Sequence, residues 1–284
     1  MITKYSVGLG EKVGDAFSQR FHHRHVVLLT GSTGGLGSYL LASLLSHEDV
    51  AIVYAFNRPS KSGTIKQRQR AAFEDRGLDI SALDSEMLIY IEGDAALPNL
   101  SLDDQAYGKI RDSVTVIVHN AWRLDFNLAL SSFEPNVRGT RHLIDLARAS
   151  NQAGKPRFLF TSSVSSAQGW DKSRGAFPEE VQFDAGVAVG PGYGASKYVS
   201  ERVRTCVIID YDLASDRSHR GQILAMSGLS ATSFRIGQIT GGVPRGAWST
   251  TDWVPIIVKS SVTLGALPDA RGVSQSPDSD FYLD

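Results

Sequence analysis

HVVLLTGSTGGLG, residues His25–Gly37, decides the fold. Its first half is a short apolar, partly β-branched run, and its second half turns at once into a glycine-rich loop. A helical pattern follows over Ser38–Ser46. Strand, glycine turn and helix in that order open a βαβ unit. Outward from this stretch the chain keeps alternating. Further strand-like runs lie at Val50–Phe56, Met87–Ile91, Val114–His119, Arg157–Thr161 and Ala231–Ile236. Amphipathic stretches at Ile65–Arg76 and Arg138–Ser150 separate some of them. Continuous apolar strands divided by helices read as an α/β fold with a parallel sheet covered on both faces. Right-handed crossovers make it a doubly wound, Rossmann-type sheet, with its ligand crevice at the strands' carboxyl ends.

The whole chain agrees with that reading. It has 284 residues, 42% hydrophobic and 21% charged, and a formal net charge of −1. This balance excludes general disorder and excludes binding nucleic acid or anionic membrane through bulk charge. The single cysteine, Cys206, forms no internal disulfide, which points to a reducing compartment. No apolar run approaches the ~20 residues of a membrane helix. The start, MITKYSVGLGEK, lacks a secretory core. A soluble, cytoplasmic protein is expected. His22 and His23 end a lead-in, residues 1–24, without periodicity, and cluster with His25 just after it, but no matched downstream ligand set argues for a metal. A dinucleotide-binding domain is expected over 25–242, with a polar insertion at 205–222. A partial substrate region and polar tail are expected over 243–284.

Gly31, Gly34 and Gly37 are spaced G-x-x-G-x-x-G. Such a loop lets a backbone approach a pyrophosphate, and the helix behind it offers unpaired N–H groups and a favourable dipole. The second strand ends Phe56-Asn57-Arg58-Pro59, with no acidic residue where NAD's ribose hydroxyls would be held. Arg58 stands there instead, ahead of a basic helix carrying Lys66, Arg68 and Arg70. Arginine suits the 2′-phosphate of NADP, so NADP is expected over NAD. Lys66 and Arg70 read as a solvated helix face.

Tyr193 and Lys197 form Y-x-x-x-K, which puts both side chains on one helix face. A nearby ammonium is expected to bring the tyrosine toward the acid–base range needed near neutral pH. The hydroxyl run Thr161–Ser166 follows a strand and offers a group to orient a carbonyl.

TGSTGGLG, HNA at His119–Ala121, NVRGT at Asn136–Thr140, TSS at Thr161–Ser163 and YGASK together resemble an extended short-chain dehydrogenase/reductase. More narrowly, HNAWRLDFN, SAQGWDKSRGAFPEE, FRIGQITGG and WSTTDWVPIIVKSS resemble the thioester reductase domains of fungal adenylate-forming reductases and nonribosomal-peptide-synthetase-like enzymes. The resemblance runs from about Val26 to Asp269. It implies that Tyr193 donates a proton to the carbonyl oxygen, that Lys197 tunes it and holds the nicotinamide ribose, and that Ser163 orients the carbonyl. It further implies a pyrophosphate cradle of Gly31, Thr33, Gly34, Leu36 and Gly37. Arg58 and Arg68 would meet the 2′-phosphate, Asp94 would lie beside the adenine, and Asn120 and Ala121 would line the cofactor channel.

The implied reaction spends NADPH hydride on an acyl thioester carried by a phosphopantetheine arm, giving a hemithioacetal and then an aldehyde. The carrier domain would be supplied in trans. Trp122, Trp170, Trp248 and Trp253 are candidates for an acyl or pantetheine channel, with core packing the plainer role. The chain departs from the family around Cys206–Gln222 and again at SQSPDSDFYLD, where the family continues into a larger substrate region. Both departures are expected to come from retained intron sequence or an incomplete gene model, and clean exon junctions in the transcript would refute that. Two other functions compete with thioester reduction: reduction of a free aldehyde or ketone, and a catalytically inactive NADP-binding remnant.

Overall fold

The computed structural model describes residues 1–9, 24–152, 155–180, 182–206, 229–242, 246–250 and 252–266. Among the described residues six strands form one sheet: β1 (His25–Thr30), β2 (Val50–Asn57), β3 (Leu88–Glu92), β4 (Val116–His119), β5 (Arg157–Ser163) and β6 (Ala231–Ile236). Every pairing is parallel, and the order is β3-β2-β1-β4-β5-β6. The order reverses between β1 and β4, which opens a crevice at their carboxyl ends.

Alternation along each strand splits the core into two layers. Val27 and Leu29 of β1, Val53 of β2, and Val116 and Val118 of β4 share a buried cluster with Leu41, Leu45 and Phe73. The last three come from α2 (Gly35–Leu45) and α3 (Ile65–Asp75). Leu28, Tyr54, Phe56, Ile117, Phe158 and Phe160 point the other way, against α4 (Asp104–Ser113), α5 (Glu134–Ala149) and α6 (Gly192–Cys206). Both faces are therefore dry, and each fully buried Leu or Phe stabilises the fold by about 1.5–3 kcal/mol. β5 runs on through Ser163, two residues beyond its expected end at Thr161, because Ser162 and Ser163 still pair with Arg235 and Ile236 of β6.

The first residues differ from the expected aperiodic lead-in. Ile2–Ser6 form a helix, α1, and Tyr5 and Leu9 are buried in the same cluster as Val199 and Val203 of α6. Arg141 of α5 donates to the carbonyls of Tyr5 and Val7, and Glu134 accepts from Tyr5 and Lys4. A five-residue helix is too short for sequence periodicity to reveal, and its partners lie more than a hundred residues away.

The chain divides into two units, 1–239 and 240–284, three residues before the expected boundary after 242. Within the second unit α7 (Trp253–Leu264) ends at Gly265 in the left-handed region, φ 64°. His22, His23, most of the 205–222 insertion and the 273–284 tail lie outside the described residues. Among the described residues no helix is long and apolar enough to cross a membrane.

Candidate active site

The glycine loop sits at the β1 end of the crevice. Gly31 has φ +73°, and a Cβ on it would meet the Ala121 Cα at 2.8 Å. A Cβ on Gly37 would lie 2.0 Å from the Gly31 carbonyl oxygen. Both positions therefore require glycine for internal reasons, before any ligand is considered. Gly34 is the N-cap of α2, and among the described residues no side chain caps that helix. Its first N–H groups remain available, which suits a pyrophosphate. Thr33 and Leu36 occupy the same loop and first turn, as expected.

A buried polar network holds the loop. Ser32 donates to Gln69 Oε1 at 2.6 Å, Gln69 Nε2 donates to the Ser32 carbonyl at 3.0 Å, and Asn57 Nδ2 donates to Ser32 Oγ at 2.7 Å. Thr33 donates from Oγ1 to Asn57 Oδ1 at 3.2 Å. Asn57 and Gln69 were not expected to serve the site. Gln69 did carry a signal, because it lies on the buried face of α3 with Ile65, Ala72 and Phe73.

An open cleft of about 710 Å³ adjoins this loop, lined by Thr33, Ser62, Gln67, Arg68 and Ala71. Arg68 Nη2 donates to Glu92 Oε1 and to the Arg58 carbonyl, both at 2.9 Å. Its Nε is buried and without a hydrogen-bond partner among the described residues. An arginine anchored on one edge with an unused donor fits an anionic group. The Arg58 side chain is exposed and not among the residues lining the cleft. Lys66 is exposed, and Arg70 pairs with Glu74 four residues on, as a solvated face should. Asp94 accepts from the Ala96 N–H at 2.9 Å, in the loop after β3 that His142 and Arg138 of α5 also hold through the Ala95 and Ala96 carbonyls.

Across the crevice, Asn120 Nδ2 donates to the Gly31 carbonyl at 3.2 Å and fixes the end of β4 against the glycine loop. Thr30 Oγ1 accepts from the Asn120 and Ala121 N–H groups at 3.0 and 2.9 Å. Its own hydrogen is then directed to His119 Nδ1 at 3.1 Å. Thr140 donates to the Asn136 carbonyl, so His119 Nε2–H donates to Thr140 Oγ1 at 3.0 Å. The chain of donors assigns a neutral His119 with its proton on Nε2. Burial and the Lys197 ammonium agree, pushing the imidazole pKa down to about 3.

The three expected catalytic groups converge at the β5 end. Ser163 is buried at the last position of β5, and Tyr193 on α6 hydrogen-bonds it. Lys197, one turn on, is 2% exposed and donates to the Thr161 carbonyl at 2.7 Å. The expected lowering of Tyr193 by Lys197 is not seen. Burial raises the phenol, and the Ser163 hydrogen bond opposes this only in part. The lysine nitrogen lies 5.8 Å from the centroid of the Tyr193 ring. Tyr193 is thus a protonated acid at neutral pH. Burial also depresses Lys197, to about 7, against the opposing attraction of Glu201.

Glu201, a further turn along α6, accepts from Ser162 and Ser166 of the hydroxyl run and pairs with Arg235 of β6. Sequence reading missed this anchor, although Tyr193, Lys197 and Glu201 stand four residues apart on one helix face. Of the four tryptophans proposed for a channel, Trp122 lies beside Lys197, while Trp170 packs on Arg174 and Phe177. Trp248 and Trp253 belong to the second unit. Phe126, 53% exposed, stacks edge-on against Tyr193 at 4.9 Å.

Residues 29–206 match the NAD-binding family described as Male sterility protein. The chain belongs to this family. It is a nicotinamide-dinucleotide-binding domain of the extended short-chain dehydrogenase/reductase type. It is 63% identical over 254 residues to the adenylate-forming reductase Nps11 of Serpula lacrymans, and 60% identical over 248 residues to Nps9 of the same fungus. These alignments cover 89% and 87% of this chain but 21% of each relative, so the chain spans about a fifth of their length. Among solved structures it is similar to the terminal R domain of the myxalamid PKS-NRPS biosynthetic pathway. That match has a TM-score of 0.72 and 25% identity, covering 94% of this chain and 63% of the other.

Proposed function

We propose that this domain uses NADPH to reduce an acyl thioester on a phosphopantetheine carrier, releasing an aldehyde. The observation that carries the reading is the convergence of Ser163, a protonated Tyr193 and a buried Lys197 at the lip opposite an uncapped glycine loop. The relatives named adenylate-forming reductases support the thioester as substrate.

When bound, the dinucleotide supplies a hydride. The chain's own residues do the rest. The Gly31–Gly37 loop and the first turn of α2 would hold the pyrophosphate, Asp94 would sit beside the adenine, and Asn120 and Ala121 would line the channel. Arg68 would take the 2′-phosphate, which makes the cofactor NADPH, and Arg58 would add charge from the rim. Ser163 would donate to the thioester carbonyl and Tyr193 would protonate its oxygen as hydride arrives at carbon. Lys197 would hold the nicotinamide ribose and, when charged, stabilise the phenolate left on Tyr193 until a proton from solvent restores the phenol. The resulting hemithioacetal breaks its C–S bond, giving free thiol and aldehyde. Hydride and proton together account for the two-electron reduction.

The test supplies an acyl carrier thioester in trans with NADPH and follows aldehyde and dinucleotide oxidation together. Tyr193→Phe should lower turnover about 10²–10⁴-fold while leaving NADPH affinity intact. Unchanged turnover in that variant removes Tyr193 from the acid role. Turnover of free ketones alone would overturn the thioester reading.

A further inference from the structure

We propose that Trp122 is a positioning residue for Lys197: its indole face cradles the buried ammonium and keeps it charged and aimed at the lip. This rests on the reductase reading, which gives Lys197 its task. The lysine Nζ lies 4.2 Å from the centroid of the Trp122 ring and 4.9 Å from that of Phe160. Both distances are well inside the range where an aromatic face attracts a cation. Burying an ammonium is costly unless its charge is compensated. Thr161's carbonyl takes one of its three hydrogens. Aromatic faces compensate charge without consuming the other two, which are then left for a ligand's hydroxyls.

The indole is held for this purpose rather than merely packed. Trp122 Nε1 donates to Ser196 Oγ at 3.2 Å, and Ser196 donates to the Tyr193 carbonyl at 2.6 Å. The ring is thereby tied to the helical turn that carries Tyr193 and Lys197. It also follows directly on Asn120 and Ala121, so one loop sets both the cofactor channel and the lysine cradle. The titratable groups around the ammonium are His119 from β4, which the network keeps neutral, and Tyr193 and Glu201 from α6. β5 contributes Phe160 and the Thr161 carbonyl, neither of which titrates. Among the described residues Glu201 alone favours the charged lysine by opposite charge, and the indole adds to it.

Titrating the intact chain labelled with ¹³C-lysine, with Lys197→Arg identifying the resonance, reads the ammonium directly. Trp122→Leu should lower the Lys197 pKa by about half a unit to one and a half units, and Trp122→Phe should recover most of it. An unchanged titration in folded Trp122→Leu overturns the proposal. Should that variant fail to fold, replacing tryptophan by singly and doubly fluorinated analogues weakens the ring's attraction without changing its shape. The Lys197 pKa should then fall stepwise, and a constant value overturns the cradle. In turnover, the alkaline limb of the pH–kcat profile should move by the same amount, which loss of packing alone would not produce. The titration needs neither cofactor nor substrate. A wild-type chain without turnover would therefore overturn the reductase reading while the cradle is still judged on its own result.

Discussion

Arg235 on β6 grips both carboxylate oxygens of Glu201 on α6, Nη2 to Oε2 at 2.9 Å and Nε to Oε1 at 3.3 Å. The Glu201 side chain is 4% exposed and that of Arg235 17%. The same guanidinium donates to the Pro178 and Glu180 carbonyls and stacks on Phe177. One ion pair therefore joins the last strand, the catalytic helix and the loop before that helix.

Breaking this pair from one side strands a buried charge. Arg235→Met should destabilise the domain by about 3–5 kcal/mol, measured by urea denaturation. Adding Glu201→Leu should return part of that loss, because the carboxylate is no longer left unpaired. A double variant as unstable as the sum of the singles would mean the two residues act independently.

In the proposed function Arg68 is the residue that would decide cofactor choice. Its Nη2 is committed to Glu92 and the Arg58 carbonyl, while Nε faces no partner among the described residues. Arg68→Gln should weaken NADPH binding about 10–100-fold, the worth of a charge-assisted contact, and leave NADH binding nearly unchanged. Arg58→Gln should cost less, since that side chain is exposed. Calorimetric titration with each dinucleotide checks both. Equal losses for NADPH and NADH in Arg68→Gln would assign it a structural role.

The parts of the fold written in local order were legible in the sequence. Six strands, the glycine loop and the Tyr193–Lys197 spacing all follow from runs of a few residues. What escaped depends on partners far apart in sequence. His119 meets Thr30 across 89 residues and Thr140 across 21, and Tyr5 meets Glu134 across 129. Glu201 announces itself by helical spacing, but its purpose appears only when Ser162 and Arg235 arrive from neighbouring strands. The Tyr193 expectation failed for a related reason. Spacing brings Lys197 to the same face, but the depth of burial that raises the phenol is a tertiary property.

Gly37 tests the loop without touching chemistry. A methyl at this position would meet the Gly31 carbonyl oxygen, which is backbone and has no rotamer to yield. Gly37→Ala should cost about 1–3 kcal/mol of stability, as overpacking does, and abolish detectable NADPH binding. Gly35→Ala is the control, because a Cβ there has no heavy atom within 4 Å. Wild-type affinity in Gly37→Ala would mean that the α2–loop contact is not part of the cradle.

Two buried groups contribute to how stability depends on pH. His119 titrates near 3 when folded and near its ordinary 6.5 when unfolded. Between those values the unfolded chain binds a proton that the folded chain refuses. Its contribution is complete above about pH 6.5 and falls by about 1.4 kcal/mol per pH unit on acidification. His119→Asn should flatten that acid limb relative to wild type. Lys197 is also depressed, from 10.5 to about 7, so between those values the unfolded chain again holds the extra proton. Stability from this residue therefore rises with pH across that window and is lowest below about pH 7, where the ammonium is buried charged. Lys197→Met should remove the alkaline rise, and denaturant unfolding at pH 6, 8 and 10 reads it. A Lys197→Met variant whose stability still climbs in parallel with wild type would place the titrating group elsewhere.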